Sequence, residues 1–455
     1  MKSLRLLPSP SAFRQCTTYA RGFCPPCPIL VTSRRCCSSS SVTTASPSES
    51  VDDVVTPWAV EAKGPKGIDY DRVLSQFKSE RIDAEMLMRL EKVIAQRHQE
   101  LGRGGAPPPL HPLIRRGMVF SHRDLNVVLD SLEKKQTVYL YTGRGPSAGT
   151  MHVGHMVPFL LTKYLQDVLG CPLVIQLTDD EKFLFRDIPL GPKMDAIVQS
   201  NLKDIIAFGF DPKRTFIFRN TAYMGEMYST VLELQRCITT NAAKNTFGFV
   251  DTDCIGKVAF PATQAAPSFV SSFRNVLPIK SHNMRCLIPC AIDQDPFFVL
   301  TRNVSDRLKR PKPALLHTKF LPALKGATHK MSSSAESNGV VLLTDDLATI
   351  QRKLRKAFSG GGGTMEDLKN NGADLDTDVA YQFVRTFSAD DALVASTGEG
   401  YRAGSLTSVD VKELAAKVLW DEILSHWQVR RAAITDETVT EFTSIRDILR
   451  ASPSW

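Results

Sequence analysis

Two histidines and a glycine near residue 150 have the types and spacing of a phosphate site. His152 and His155 stand three residues apart, so both lie on one face of a helix near its start. Both imidazoles can donate hydrogen bonds to an oxygen on which negative charge develops. Gly154 has no side chain, so a flat base could lie against the helix there. The pattern predicts a site for a nucleotide phosphate.

The flanking residues predict the elements that position this site. Residues 138–142 are β-branched and aromatic, which predicts a buried strand, and residues 143–147 form a glycine-rich turn. Apolar residues recur at helical spacing over 152–169, and residues 173–177 predict a second buried strand. The resulting βαβ unit indicates an α/β, Rossmann-like nucleotide-binding domain with a parallel sheet. The glycine pattern differs from both G-x-G-x-x-G and the P-loop, so neither a dinucleotide nor a Walker-type site is indicated.

A second cluster lies roughly 175 residues further on, at Lys330-Met331-Ser332-Ser333-Ser334. It resembles the KMSKS motif of class I aminoacyl-tRNA synthetases, and Met-His-Val-Gly-His at 151–155 resembles their HIGH motif. Either match is weak alone, but the two in this order form a strong signature. Four further stretches are similar to the eukaryotic and archaeal branch of the tryptophanyl-tRNA synthetase family, namely residues 139–147, 176–182, 260–262 and 291–295. The resemblance covers about residues 50 to 450.

The resemblance implies a two-step reaction with ATP as substrate and Mg²⁺ on its phosphates. The tryptophan carboxylate attacks the α-phosphorus, and the adenylate then acylates the terminal ribose of tRNA(Trp). The carboxylate is already a nucleophile, so catalysis requires positioning and charge stabilisation and no catalytic base. The implied catalytic residues are His152, Gly154, His155, Lys330, Met331 and Ser332, and the implied ATP-binding residues are Arg144, Gly145, Ser333 and Ser334.

The resemblance also implies the residues of an amino-acid pocket. Tyr141 and Gln176 would meet the indole nitrogen, and Glu181, Gln264 and Gln294 would hold the ammonium and carboxylate ends. An indole needs a large apolar slot and one acceptor for its N–H group. Such an acceptor would go unpaired with phenylalanine, so strong discrimination would need no editing site.

One position of the second signature departs from the family pattern. Ser333 stands where the general motif has a second lysine, so one charge directed at the phosphates is absent. The loop would therefore rely on Lys330, on backbone N–H groups and on hydroxyls.

Charge is concentrated at the N-terminus. Of the net charge of +8, residues 1–50 hold six basic residues against Glu49, which leaves the rest nearly neutral. This segment is rich in serine and typical of a transit peptide, although a disordered extension is the alternative. The family implies a cytoplasmic enzyme, whereas the leader suggests mitochondrial or plastid targeting, or both. There is no run of about 18 apolar residues, so no membrane association is expected.

The cysteines do not indicate a metal site. Half of the ten lie in the leader, and Cys286 and Cys290, with His282 nearby, lack a second pair at zinc-finger spacing. Free thiols and no protein-bound metal are expected.

After the leader, residues 1–50, we expect three further parts of the chain. Residues 51–135 extend the catalytic core; the resemblance implies a strand or hairpin over the site within 51–70, and the sequence predicts a helix from Phe120 to Leu132. Residues 136–345 form the catalytic domain, with an inserted segment at about 193–290 that the family uses for a homodimer interface. A flexible glycine joint at 359–363 lies near the start of an α-helical C-terminal domain, residues 346–455, which by resemblance binds the tRNA anticodon.

Three other functions fit parts of the pattern. A tyrosine–tRNA ligase has the same fold, but would need a Tyr/Asp pair for a phenol where this chain has Gln176. A nucleotidylyltransferase that does not act on tRNA shares the histidine motif, yet would not need the helical domain. A catalytically inactive RNA-binding paralogue is disfavoured by the intact His152, His155 and Lys330.

Overall fold

A computed structural model describes residues 53–64, 67–147, 149–278, 283–330, 339–362 and 364–449, with the backbone alone at 327–330 and 365. The strands are β1 (Val54–Val55), β2 (Val60–Glu61), β3 (Glu80–Arg81), β4 (Val119–Arg123), β5 (Val138–Arg144), β6 (Leu173–Leu177), β7 (Thr215–Arg219), β8 (Arg285–Ala291), β9 (Ala314–Thr318), β10 (Pro322–Ala323) and β11 (Gly326–Lys330).

The helices of the first three hundred residues surround these strands. They are α1 (Tyr70–Phe77), α2 (Ala84–Glu100), α3 (Pro112–Arg115), α4 (Leu125–Glu133), α5 (Val153–Leu169), α6 (Asp179–Arg186), α7 (Pro192–Ile206), α8 (Asn220–Cys237), α9 (Thr240–Phe247), α10 (Ile255–Ala265) and α11 (Asp295–Ser305).

The C-terminal part has its own helices. They are α12 (Leu347–Arg355), α13 (Met365–Asn371), α14 (Val379–Phe387), α15 (Asp391–Arg402), α16 (Ser408–Leu419), α17 (Ser425–Ala432) and α18 (Asp436–Thr443). A π-helical turn at Trp420–Leu424 joins α16 to α17.

A seven-stranded sheet in the order β3-β4-β9-β8-β5-β6-β7 forms the centre. The five strands from β9 to β7 run parallel, and β3 and β4 add an antiparallel edge. Every residue of β6 is buried, as expected for a parallel strand covered by helices on both faces. The predicted α/β class and parallel sheet are therefore confirmed.

The helix expected from Phe120 to Leu132 is wrong in its first half. Residues 119–123 form β4, which pairs with β9, and the helix α4 begins only at Leu125. Asp124 stands before α4 with φ of 51°, and Ser121 lies within the strand, where its hydroxyl is 2.8 Å from Nδ1 of His317. Five residues of mixed type, Val-Phe-Ser-His-Arg, are too few to show a period that separates a strand from a helix, and pairing with β9 makes them a strand.

The expected N-terminal hairpin is present. Strands β1 and β2 pair with each other, and Glu61 of β2 pairs with His329 of β11. The small sheet β1-β2-β11-β10 thus joins the start of the chain to the strand that leads into the second signature.

The segment at 193–290 also supplies part of the central sheet, through β7 and most of β8. The apolar stripe on α8 packs into the core, since Met227, Val231 and Leu234 are buried. Between residues 250 and 300 the chain is mostly helical, with β8 as the one strand among the described residues.

The glycine run expected to be a flexible joint is packed where the structure describes it. The Gly360 amide donates to the Asp378 carboxylate at 2.9 Å, and a Cβ at Gly360 would overlap the main chain of Asp374. Only glycine permits this approach. Gly363 lies outside the described residues.

Helix α17 fastens the helical part to the catalytic part. Trp427 is fully buried and donates to the main-chain oxygen of Asp204 at 3.1 Å, while Arg431 pairs with the Asp204 carboxylate. The other oxygen of that carboxylate accepts from the Met151 amide at 3.2 Å. Gln428 donates to the main-chain oxygens of Leu343 and Asp345.

This anchoring predicts a large difference between two neighbours on α17. Trp427→Ala should lower the free energy of unfolding by about 3–5 kcal/mol, because it opens a cavity and removes a buried hydrogen bond. Val429→Ala, at a side chain 72% exposed, should change it by less than about 0.5 kcal/mol. Urea unfolding followed by circular dichroism measures both. Equal effects of the two substitutions would contradict the anchoring.

Candidate active site

The expected site residues converge on one cavity of about 290 Å³ at the carboxyl ends of β5 and β6. The cavity lies where ligands bind in open α/β sheets, beside the N-terminus of α5. Of the predicted residues, those that line it are Tyr141, Arg144, Gly145, His152, Gly154, His155, Glu181, Gln264 and Gln294. Gln176 is buried directly behind Tyr141.

Tyr141 presents a polar group to the cavity. Its hydroxyl lies 2.5 Å from Oε1 of Gln176 and 2.9 Å from the main-chain oxygen of Gln264, and donates towards both. Burial raises the pKa of Tyr141 well above its usual value, so the phenol is neutral. The edge of its ring packs against Phe298, with centroids 5.9 Å apart. With its proton directed at protein oxygens, the hydroxyl can accept from a ligand.

Arg144 brings a buried cation to the same cavity. Its Nε donates to Asn201 at 2.8 Å, and its Nη2 has no hydrogen-bond partner among the described residues. Burial lowers the pKa of Arg144 to about 10, so the guanidinium stays charged at neutral pH. A buried charged donor with an unused N–H group is suited to an anion such as a phosphate.

The first signature opens α5 as predicted, and a strand contact holds it in place. The rings of His152 and His155 stack with centroids 3.5 Å apart. The Val153 amide donates to Val341 and the Leu343 amide to Met151, each at 2.9 Å. The chain that follows the second signature thus pairs with the first, a contact that no local sequence pattern indicates.

The second signature is described only at its beginning. Lys330 ends β11, where its main chain pairs with Pro322. Met331, Ser332, Ser333 and Ser334 lie outside the described residues.

Glu181 also lines the cavity and is fixed by two neighbours. Lys182 donates to Oε1 at 2.8 Å and Thr178 to Oε2 at 3.1 Å. The main chain at Gly145 is so close that a Cβ there would overlap both the Glu181 and Lys182 side chains. A side chain at position 145 would therefore displace the ends of Glu181 and Lys182, an effect in addition to the loss of the phosphate contact expected of Gly145.

An aromatic cluster covers the cavity. Trp58, in the turn of the N-terminal hairpin, lines the site and stacks on Phe185 with centroids 4.4 Å apart. Its indole N–H donates to the main-chain oxygen of Phe247 at 3.2 Å, 189 residues away. Sequence reasoning expected the hairpin here but could not supply these partners, because their contact is not local.

The described residues hold no cluster of three or more His, Cys, Asp or Glu side chains that could bind a metal ion. Burial raises the pKa of the Cys290 thiol well above its usual value, and that of Cys286 is also raised. His282 lies outside the described part of the chain. No helix in the described ranges is long and apolar enough to cross a membrane.

The parallel sheet, the two signatures and the buried Arg144 that lines the cavity together define a class I aminoacyl-tRNA synthetase. The family model described as tRNA synthetases class I (W and Y) matches residues 133–423. The chain belongs to this family and, within it, to the tryptophan–tRNA ligases, as its relatives show.

Relatives from distant organisms agree over most of the chain. The cytoplasmic tryptophan–tRNA ligase of Homo sapiens is 46% identical over 404 residues, which cover 88% of this chain and 82% of the relative. That of Schizosaccharomyces pombe is 46% identical over 397 residues, covering 86% and 97%. The structure of the Encephalitozoon cuniculi tryptophanyl-tRNA synthetase bound to tryptophan aligns with a TM-score of 0.74 at 38% identity, covering 84% of this chain and 99% of that one.

Proposed function

We propose that this cavity joins tryptophan to the α-phosphate of ATP and that the adenylate then charges tRNA(Trp). The observation that carries the proposal is the Tyr141 hydroxyl, whose proton points at Gln176 and Gln264. A hydroxyl in this state accepts the N–H of an indole. By the family resemblance a tyrosine enzyme would meet the phenol with a Tyr/Asp pair, and Gln176 stands beside Tyr141 instead, so the arrangement favours tryptophan over tyrosine.

The remaining residues either position the substrates or stabilise charge during the reaction. Glu181, with Gln264 and Gln294, holds the amino-acid ammonium and carboxylate, and Arg144 binds a phosphate through its buried Nη2. His152 and His155, at the N-terminus of α5, stabilise the negative charge that develops on the α-phosphate. Gly154 leaves room for the adenine. Mg²⁺ enters as part of the MgATP substrate and neutralises the phosphates.

The second signature supplies the other side of the phosphates. Lys330 follows the leaving pyrophosphate, while Met331, Ser332, Ser333 and Ser334 complete the loop with backbone N–H groups and hydroxyls. The pairing of Val341 and Leu343 with the first signature supports this, because it brings the end of the loop to the start of α5. The helical residues 346–455 bind the tRNA anticodon.

Tryptophan-dependent exchange of pyrophosphate into ATP tests the function. We expect exchange with tryptophan and, at equal concentrations, at least a thousandfold lower kcat/KM with tyrosine and phenylalanine, because a buried polar group would be left unpaired. All twenty amino acids are assayed with the same enzyme. Exchange with tyrosine and none with tryptophan would reverse the pocket assignment.

Lys330 can be tested against a lysine five residues earlier. Lys330→Ala should slow adenylate formation by roughly a hundredfold or more while tryptophan affinity changes little, because the contact forms with charge on the leaving group. Lys325→Ala, at an exposed side chain, should leave both unchanged. Single-turnover kinetics and fluorescence titration measure the two quantities. A loss of affinity without loss of rate would contradict the role.

A homodimer is proposed through the outer face of α8. Tyr228 and Leu232 stand one helical turn apart there and are 51% and 45% exposed, opposite the stripe that enters the core. Leu232→Glu should weaken a dimer at least tenfold, as measured by sedimentation equilibrium. Val409→Glu, on an exposed position of α16, should not. A monomeric parent enzyme would refute the proposal.

We propose that the enzyme acts in the cytoplasm, as the relatives' names state of them. The comparisons give no support to organelle targeting by residues 1–50, which lie outside the described part of the chain. A fluorescent fusion of the full chain should therefore stain the cytosol, and accumulation in mitochondria or plastids would favour the transit leader.

A further inference from the structure

We propose that Asp180 and Asn220 are positioning residues that fix the orientation of the Gln176 amide and so make the Tyr141 hydroxyl an acceptor for the indole N–H. This inference rests on the proposed function of the cavity and adds to it the origin of its selectivity. Neither Asp180 nor Asn220 lines the cavity, and neither contacts it directly as a binding residue.

Four side chains form one continuous line of hydrogen bonds. The Tyr141 hydroxyl donates to Oε1 of Gln176 at 2.5 Å, and Nε2 of Gln176 donates to Oδ1 of Asn220 at 2.9 Å. Nδ2 of Asn220 then donates to Oδ1 of Asp180 at 2.8 Å. Every bond points the same way, from the cavity towards the carboxylate.

The carboxylate sets this direction because an ionised carboxyl group can only accept hydrogen bonds. Burial raises the pKa of Asp180 to about 6, so the group is still ionised at neutral pH. A reversed Asn220 amide would place its oxygen against the Asp180 oxygen, and its NH₂ against that of Gln176. The orientation of Asn220 is therefore imposed by its neighbour.

The Gln176 amide is fixed in turn. Its NH₂ group also donates to the main-chain oxygen of Thr263 at 3.3 Å, so both amide hydrogens have acceptors. If the Gln176 amide were reversed, its own oxygen would lie against Oδ1 of Asn220 and the main-chain oxygen of Thr263, and no hydrogen bond could form. Gln176 and Asn220 are fully buried, so water cannot compensate for the mismatch.

The orientation decides what Tyr141 can do for a ligand. With Oε1 of Gln176 and the main-chain oxygen of Gln264 beside it, the hydroxyl proton points away from the substrate and a lone pair is left for the indole. If the Gln176 amide reversed, its NH₂ would occupy that lone pair. The enzyme would still fold and bind a large ring, but would lose its preference for a ring that carries N–H.

An isostere separates this role from a purely structural one. Benzothienylalanine has the size of tryptophan with sulfur in place of the N–H group, so the ratio of kcat/KM for the two amino acids reports the acceptor alone. In Asp180→Asn the ratio should fall at least tenfold in pyrophosphate exchange, because an amide at 180 can donate or accept. Asn220→Ala should give the same fall by removing the acceptor of Gln176.

The double variant Asp180→Asn/Asn220→Asp should restore the ratio to within about threefold of the parent. The carboxylate then stands at position 220 and accepts from both neighbours, which again fixes Gln176. Rescue of this kind is not expected if the two residues only fill space.

The control is Asp378→Asn, which removes another buried carboxylate with hydrogen bonds, to Gly360 and Tyr401 in the helical domain. It should lower the melting temperature and leave the ratio unchanged. Retained exchange with the isostere shows that each single variant is folded. An equal fall for both amino acids in Asp180→Asn and Asn220→Ala would overturn the inference. A parent enzyme without tryptophan exchange would instead overturn the proposed function.

Discussion

The buried carboxylate of Asp204 is the contact on which the arrangement of the two halves depends. One oxygen accepts from the Met151 amide, directly before the first signature, and the other pairs with Arg431 of α17. Removing one partner of a buried, paired charge is costly, so the pair holds the helical part against the catalytic part. The same helix contacts the chain after the second signature through Gln428. Helix α17 therefore stabilises the chain next to both signatures.

This contact changes the roles that can be assigned to the catalytic and helical domains. Distance in sequence from both signatures would assign the helical residues 346–455 to tRNA alone. In the structure, α17 contacts Asp204, whose carboxylate accepts from the Met151 amide next to His152, and it also contacts the chain that follows the second signature, so the helical domain also stabilises the catalytic geometry. Substitutions on its exposed faces and truncation of the domain are consequently not equivalent experiments.

The features that sequence predicted are local in the chain. The βαβ unit, with its helix over 152–169, follows from patterns within residues 138–177, and the structure agrees. The antiparallel edge strand β4 could not be predicted, because its identity as a strand depends on pairing with β9. Trp58 over Phe185, and Asn220 between Gln176 and Asp180, were equally out of reach, since tertiary contact alone unites them.

The anchoring of α17 has a consequence for protein engineering. A chimera that joins this catalytic part to the helical domain of a relative would have to transfer Trp427, Gln428 and Arg431 together with acceptors for them. Trp427 and Gln428 need only main-chain oxygens, which any sequence supplies if the backbone is in place. Arg431 needs the Asp204 side chain itself. Position 204 and position 431 are thus the pair whose identities must be matched when such hybrids are built.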